Sequence, residues 1–339
     1  MPPRQQCALE VPGFTEMCSE VDLAGAFRRL STPSASLSRQ FATACEALNL
    51  QRKHAGLCLE PTCPTHVTHL RSVRTKLLNY YHQLAAPPIS TLPKARLGVT
   101  FLWRDTRRLS KFADRTGVLE IGNVAYNIAV ATTAIAAESL KDQRPGSTNS
   151  AATLFEEAAC AFAHVRALLT ADASQLWRDP ARANMELREA SLFAMEEVNL
   201  AYAARCHYDA LEEEGAAAET LAVAAHAAAV AFGRAAARMQ RAVDAKGGLD
   251  SLFGEWFRAT DVERSYYLSQ VVPPCRGGGG SRSSIVRSGS ICSIRSSSVL
   301  RSPLTSSCVL RQARLQAAEI AGRAARPAMQ ETLSPPPPP

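Results

Sequence analysis

Residues 97–137, LGVTFLWRDTRRLSKFADRTGVLEIGNVAYNIAVATTAIAA, constrain the fold more than any other stretch of this 339-residue chain. The run Val99-Thr100-Phe101-Leu102-Trp103 reads as a strand after Pro93. A charged turn follows, with a second extended piece expected near residues 117–119. From Glu120 to about Ser139 the pattern is that of a long apolar helix, with an acid at its start and an asparagine, Asn127, inside it. Glu120 and Asn127 are seven apart and so share a helix face. A carboxylate and an amide on one face invite a catalytic reading. The simpler reading is preferred: a buried asparagine that satisfies backbone groups between helices. Arg104-Asp105 reads as a turn.

Around this stretch the chain is helical by pattern. Hydrophobic residues make up 46% and aromatic residues only 6%. Alanine is concentrated in runs such as residues 216–218 and 224–229, where only His226 interrupts it. Alanine has the best helix propensity, and its small side chain lets helices approach closely. Apolar spacing predicts helices over residues 37–54, 67–84, 150–170, 182–213, 217–246, 248–271 and 308–326, with a short strand within 14–23 and a loop at 142–149. Asp250-Ser251 supplies side-chain oxygens for the start of the helix at 248–271. The expected fold class is mostly α: a curved α-solenoid of tetratricopeptide-like helical hairpins, with a small antiparallel β element near the N-terminus.

Charge divides the chain. The formal net charge is +7. Residues 264–318 contain eight arginines and no acid, so the remainder sums to one negative charge (+7 less +8). A near-neutral body does not describe a nucleic-acid surface. No transmembrane helix is expected, because no run of 18 apolar residues lacks charges. Residues 1–14 lack the apolar core of a signal peptide. A cytoplasmic protein is therefore expected, with its ten cysteines reduced and mostly buried.

Several motifs, in order, carry a resemblance. They are Ser19-Glu20-Val21-Asp22-Leu23, Leu77-Leu78-Asn79-Tyr80-Tyr81, Thr100-Phe101-Leu102-Trp103-Arg104-Asp105 and Glu120-Ile121-Gly122-Asn123-Val124-Ala125-Tyr126-Asn127-Ile128-Ala129. Ala158-Ala159-Cys160-Ala161-Phe162, Trp256 with Tyr266-Tyr267, and Arg314-Leu315-Gln316-Ala317-Ala318 follow. This series resembles the BRO domain family, the Alix-type adaptors of endosomal sorting. Ile121 stands where the family has a lysine. The resemblance spans residues 14–270 and 310–326. It divides the chain into a BRO-like helical domain (14–271), a disordered Ser/Gly/Arg-rich insertion (272–307), a terminal helix of the domain (308–326) and a disordered Pro-rich tail (327–339).

The resemblance implies a non-enzymatic scaffold that binds the amphipathic C-terminal helix of an ESCRT-III-like subunit in multivesicular-body sorting. Residue by residue it puts Tyr202 at the family's patch phenylalanine, Leu221 at a patch leucine and Arg205 at a lysine one turn beyond. The opposing reading makes Tyr202 and Leu221 core residues of their helices. A helical signalling scaffold of the same fold that lacks ESCRT-III binding is the alternative function, and solvent exposure of Tyr202 and Leu221 separates the two.

Other chemistry is thin. Cys58, Cys63, His66 and His69 are four potential zinc donors within twelve residues, but the His-x2-His gap is tight and Pro61 and Pro64 restrict the loop, so a plain loop-to-helix junction is preferred and no metal is expected. No catalytic triad, phosphate loop or paired-carboxylate site stands out. No enzyme, cofactor, small-molecule substrate or nucleic-acid partner is expected. The arginine/serine segment has three readings: a solvated linker, a phosphorylated one with candidate sites Ser290 and Ser298, or a contact for anionic membrane in a protein peripheral to endosomes. Residues 335–339 form a short polyproline stretch of the kind that SH3- or WW-like modules take.

Overall fold

The structure is a computed structural model. It describes residues 14–17, 21–30, 35–57, 66–86, 89, 99–105, 111–115, 117–141, 144, 146–171, 185–244 and 250–271. Contacts divide the chain into two units, residues 1–273 and 274–339. The second unit lies outside the described residues. So do the insertion with Ser290 and Ser298, the expected helix at 308–326, the proline tail, and Cys58 and Cys63.

The described residues of the first unit form eight α-helices and three short strands: β1 (Glu16–Met17), α1 (Leu23–Leu30), α2 (Ala35–Leu57), α3 (Val67–Ala85), β2 (Phe101–Arg104), β3 (Lys111–Asp114), α4 (Val118–Ser139), α5 (Ser147–Ala171), α6 (Glu189–Glu213), α7 (Ala218–Asp244) and α8 (Asp250–Val271). From α1 onward each helix packs mainly on the next one in sequence. This is the nearest-neighbour stacking of an α-solenoid. The mostly helical class and the small antiparallel sheet match the sequence expectation.

The central helix is α4. Every residue from Leu119 to Ala136 is buried except Ile121. Both α4 and α7 are long and apolar enough to cross a bilayer by length and composition, although neither holds an uncharged run of 18 residues. In α4, 89% of that apolar window lies inside the fold, and α7 owes its hydropathy largely to alanine.

Two polar groups within α4 tie the domain together. Asn127 Oδ1 accepts from the Thr15 backbone N–H at 2.9 Å, and its Nδ2 donates to the Thr15 carbonyl at 2.9 Å. The amide thus acts as a strand partner for the segment leading into β1, as the sequence reading of Asn127 anticipated. Glu120, fully buried, accepts from Tyr80 Oη at 2.5 Å, Trp103 Nε1 at 2.6 Å and Arg52 Nε at 2.8 Å. One carboxylate therefore joins α2, α3, β2 and α4.

Burial acts against the Arg52 charge, but the adjacent Glu120 and Tyr80 outweigh it and raise its pKa. Burial, and then the Glu120 charge, push the Tyr80 hydroxyl well above its usual 10. The unfolded chain therefore loses this proton near pH 10 while the folded protein keeps it. The stabilisation is complete below pH 10 and declines above it. From Tyr80 alone we expect a loss of about 1.4 kcal/mol per pH unit above about pH 10. Urea unfolding at several alkaline pH values measures this slope, and Tyr80→Phe should flatten it.

Local differences from the sequence reading have physical causes. The second extended piece is β3, at Lys111–Asp114, and not residues 117–119. Gly117, at φ 80°, turns the chain, and Asp114 Oδ2 accepts the Leu119 N–H at 2.9 Å to start α4. Arg104 is the last residue of β2 and pairs with Glu16 across the sheet at 3.0 Å, so it is not in a turn. Helix α1 was not anticipated. Asp22 Oδ1 accepts the Gly25 N–H at 2.8 Å and caps it. A Cβ on Gly25 would lie 1.9 Å from Asp22 Oδ2, so only glycine fits beside that cap. His66, weighed as a zinc donor, caps α3 by accepting the Thr68 N–H on Nδ1 at 3.3 Å.

Candidate partner-binding face

Helix α6 is buried around most of its circumference. Its open stripe consists of Phe193, Glu196, Glu197, Leu200, Ala204, His207 and Leu211, all half-buried except the exposed His207. The spacing of three, four and seven residues places them on one helix face. At a rise of 1.5 Å per residue the stripe is about 27 Å long. Helices α5 and α7 flank it. Glu156 of α5 meets His207 at 3.1 Å, and Arg166 meets Glu196 at 3.1 Å. From α7, Arg234 meets Glu197 at 3.1 Å. The exposed face of α7 adds Val223 and Val230, at 65% and 42% exposure, beside the exposed Ala227. The result is a shallow apolar strip framed by charge.

One end of the strip is basic. The Arg166 guanidinium carbon lies 3.7 Å from the Phe193 ring centroid, and that of Arg238 lies 4.6 Å from it. The other end is acidic, with Glu212, Glu213 and Glu214 exposed where α6 turns into α7.

The residues expected from sequence to contact a partner do not share this face. Tyr202 is 1% exposed. Its ring packs on Phe155 at 5.6 Å and edge-on to Phe232 at 5.4 Å between centroids. It lies nine residues from Phe193, half a turn round α6. Arg205 is also buried. It pairs with Glu263 of α8 at 2.9 Å and with Asp209 at 3.4 Å, and its guanidinium sits 5.7 Å from the Tyr202 ring. Tyr202 and Arg205 are therefore together, but in the core, where aromatic stacking and a charge pair hold α6 against its neighbours. Leu221 is half-buried at the start of α7 and packs on the core from the edge. Phe193, Leu200, Arg166 and Arg238 were missed. Their signal was the seven-residue recurrence Phe193, Leu200 on a helix whose other faces are also apolar.

A BRO1-like domain model matches residues 17–271. The chain belongs to the BRO1-like domain family. Two solved structures share this BRO1-like fold. One is ALIX in complex with the SIVmac239 PYKEVTEDL late domain, with a TM-score of 0.62 and 22% identity over 78% of this chain and 36% of that one. The other is an ALIX BRO1 CHMP4C complex, with a TM-score of 0.61 and 21% identity over 78% of this chain and 71% of that one. The chain thus spans about a third of the first ALIX chain. No curated relative matches the sequence. The BRO1-like domain is a scaffold and adaptor fold, and a framed helical face is what a scaffold requires. Among the described residues no group of three or more His, Cys, Asp or Glu is placed to hold a metal ion. Cys45 and Cys206 are buried and Cys160 is half-buried, and none of the three is in a disulfide.

Proposed function

We propose that this protein is a non-enzymatic adaptor of endosomal sorting at the multivesicular body, cytoplasmic and peripheral to endosomes, whose α5–α6–α7 face takes the C-terminal amphipathic helix of an ESCRT-III-like subunit. The observation that carries this reading is the open stripe of α6, which offers Phe193, Leu200, Ala204 and Leu211 at the spacing an amphipathic helix uses to dock. The ALIX BRO1 CHMP4C complex, on a matching fold, supports the choice of partner. In this reading Leu221 borders the contact, and Tyr202 and Arg205 fix α6 from beneath it. Membrane contact through the arginine-rich segment, switched by phosphate on Ser290 or Ser298, belongs to the same proposal.

The test is a titration of the full chain with C-terminal peptides of ESCRT-III subunits. Wild type should bind, and Leu200→Asp should weaken binding at least about tenfold, because it sets a charge in the middle of a desolvated contact. Tyr202→Asp is a poor probe, since it buries a carboxylate among aromatic rings and threatens the fold. Absence of wild-type binding to every such peptide would leave the signalling-scaffold alternative in its place.

A further inference from the structure

We propose that the partner helix lies along α6 in one direction only, with an acidic end seated on Arg166 and Arg238 beside the Phe193 ring and a basic end beside the Glu212–Glu214 turn. This rests on the docking reading above and adds a polarity and a charge requirement to it.

The argument begins with the charges at the Phe193 end. Two guanidinium groups lie over that ring, those of Arg166 from α5 and Arg238 from α7, and Arg234 of α7 pairs with Glu197 one turn further along α6. Two carboxylates answer them, Glu196 for Arg166 and Glu197 for Arg234. Arg166 Nε, buried, has no hydrogen-bond partner. Two cations drawn over one ring repel each other, and each is held there partly by the ring's negative face. A carboxylate arriving beside them offsets that repulsion and forms charge-assisted hydrogen bonds. The ring also excludes water from one side of the incoming group, which strengthens the attraction.

The opposite end carries the opposite sign. Glu212, Glu213 and Glu214 are exposed on consecutive positions, and Glu156 lies one helix away beside His207. Glu213 accepts from the Thr148 hydroxyl at 2.8 Å. The stripe between the two ends is about 27 Å long and carries Leu200, Ala204 and Leu211 as its half-buried apolar side chains beyond Phe193. That length matches roughly five turns of a partner helix. A membrane surface fits poorly, because anionic lipid attracted to one end would be repelled from the other. A lone phosphate fits the arginines but leaves the apolar strip without a role. A helix with acids at one end and lysines at the other satisfies all three parts at once. Complementarity of this kind fixes register and direction more than it adds raw affinity.

The test uses a synthetic amphipathic peptide of about twenty residues, matched to the strip by the helical rise. Leucines take the i, i+3, i+4 and i+7 positions, glutamates occupy one terminal turn, lysines the other, and a nitroxide sits at the glutamate end. With the full chain, the nitroxide should broaden the amide signals of residues 193–197 and spare those of 211–215. Arg238→Glu should weaken this peptide about tenfold and weaken far less a peptide with glutamines in place of its glutamates. Arg238 is half-buried, and an unchanged circular dichroism spectrum will confirm that the variant folds. Equal broadening at both ends, or indifference to Arg238→Glu, overturns the polarity while docking stands. No broadening anywhere along α6 overturns the polarity and the docking reading together.

Discussion

Glu120→Ala is expected to destabilise the domain by about 3–5 kcal/mol, a large share of the roughly 5–15 kcal/mol that holds a domain folded. The substitution removes one carboxylate but strands three donors. Arg52 has a side-chain exposure of 5% and loses the charge that justifies its burial. The Tyr80 hydroxyl and Trp103 Nε1 lose their acceptor in the same step. Each neutral donor left buried adds a desolvation cost of about 1–3 kcal/mol, and the penalties overlap because the groups share one site. Glu120→Gln keeps the volume and one acceptor oxygen and should cost less, yet it still leaves Arg52 facing an uncharged amide. Arg52→Met combined with Glu120→Leu removes the stranded cation and should recover part of the loss, not all of it, since Tyr80 and Trp103 stay unpaired. Urea unfolding monitored by Trp fluorescence ranks the four proteins. A Glu120→Ala midpoint equal to wild type would show that the carboxylate does not organise the junction of α2, α3, β2 and α4.

Glu120 also shows how far the sequence could be read. The helix carrying it was evident, because a long segment that is apolar on every side has nowhere to go but the interior. The burial of Asn127 followed, since an amide inside such a helix must find backbone partners. The role of Glu120 did not follow. Its partners lie 68, 40 and 17 residues away, and no local spacing brings them together. Helix α1 escaped because eight residues are too few for a clear 3.6-residue period. Its one local mark was Asp22 three residues before Gly25. Strand β3 escaped because KFAD shows apolar character at two of four positions and is fixed by pairing with β2, Phe112 opposite Trp103.

The partner face was legible only in part, and for a related reason. Helix α6 carries large apolar side chains on opposite faces, Phe193 on one and Tyr202 on the other. A stripe argument cannot choose between them. The choice is made by packing. Phe155 and Phe232 close over Tyr202, whereas α5 and α7 leave Phe193 open between two arginines. Arg166 and Arg238 are 72 positions apart in the sequence, so their meeting depends on the register of three helices.

Arg205 was expected at the surface and lies in the core, and this makes it the site of the second large effect. Arg205→Ala should cost about 3–5 kcal/mol, since it takes the guanidinium away from Glu263, a carboxylate with 5% side-chain exposure. The loss should also be local. Glu263 belongs to α8, whose described packing is mainly on α7. In a stack where each helix leans on its neighbours, an element held mainly from one side, as α8 is among the described residues, opens before the centre. Hydrogen exchange should therefore show α8 losing protection at a lower free energy than α4, with the gap widened in Arg205→Ala. Arg205→Met with Glu263→Leu removes both charges and should lie within about 1.5 kcal/mol of wild type, since buried pairs replaced by apolar groups of similar size often lose little. If the double replacement were as costly as the single one, the arginine would act through packing on Tyr202 and not through its charge. If Arg205→Ala left α8 as protected as before, the pair would carry no weight in holding that helix.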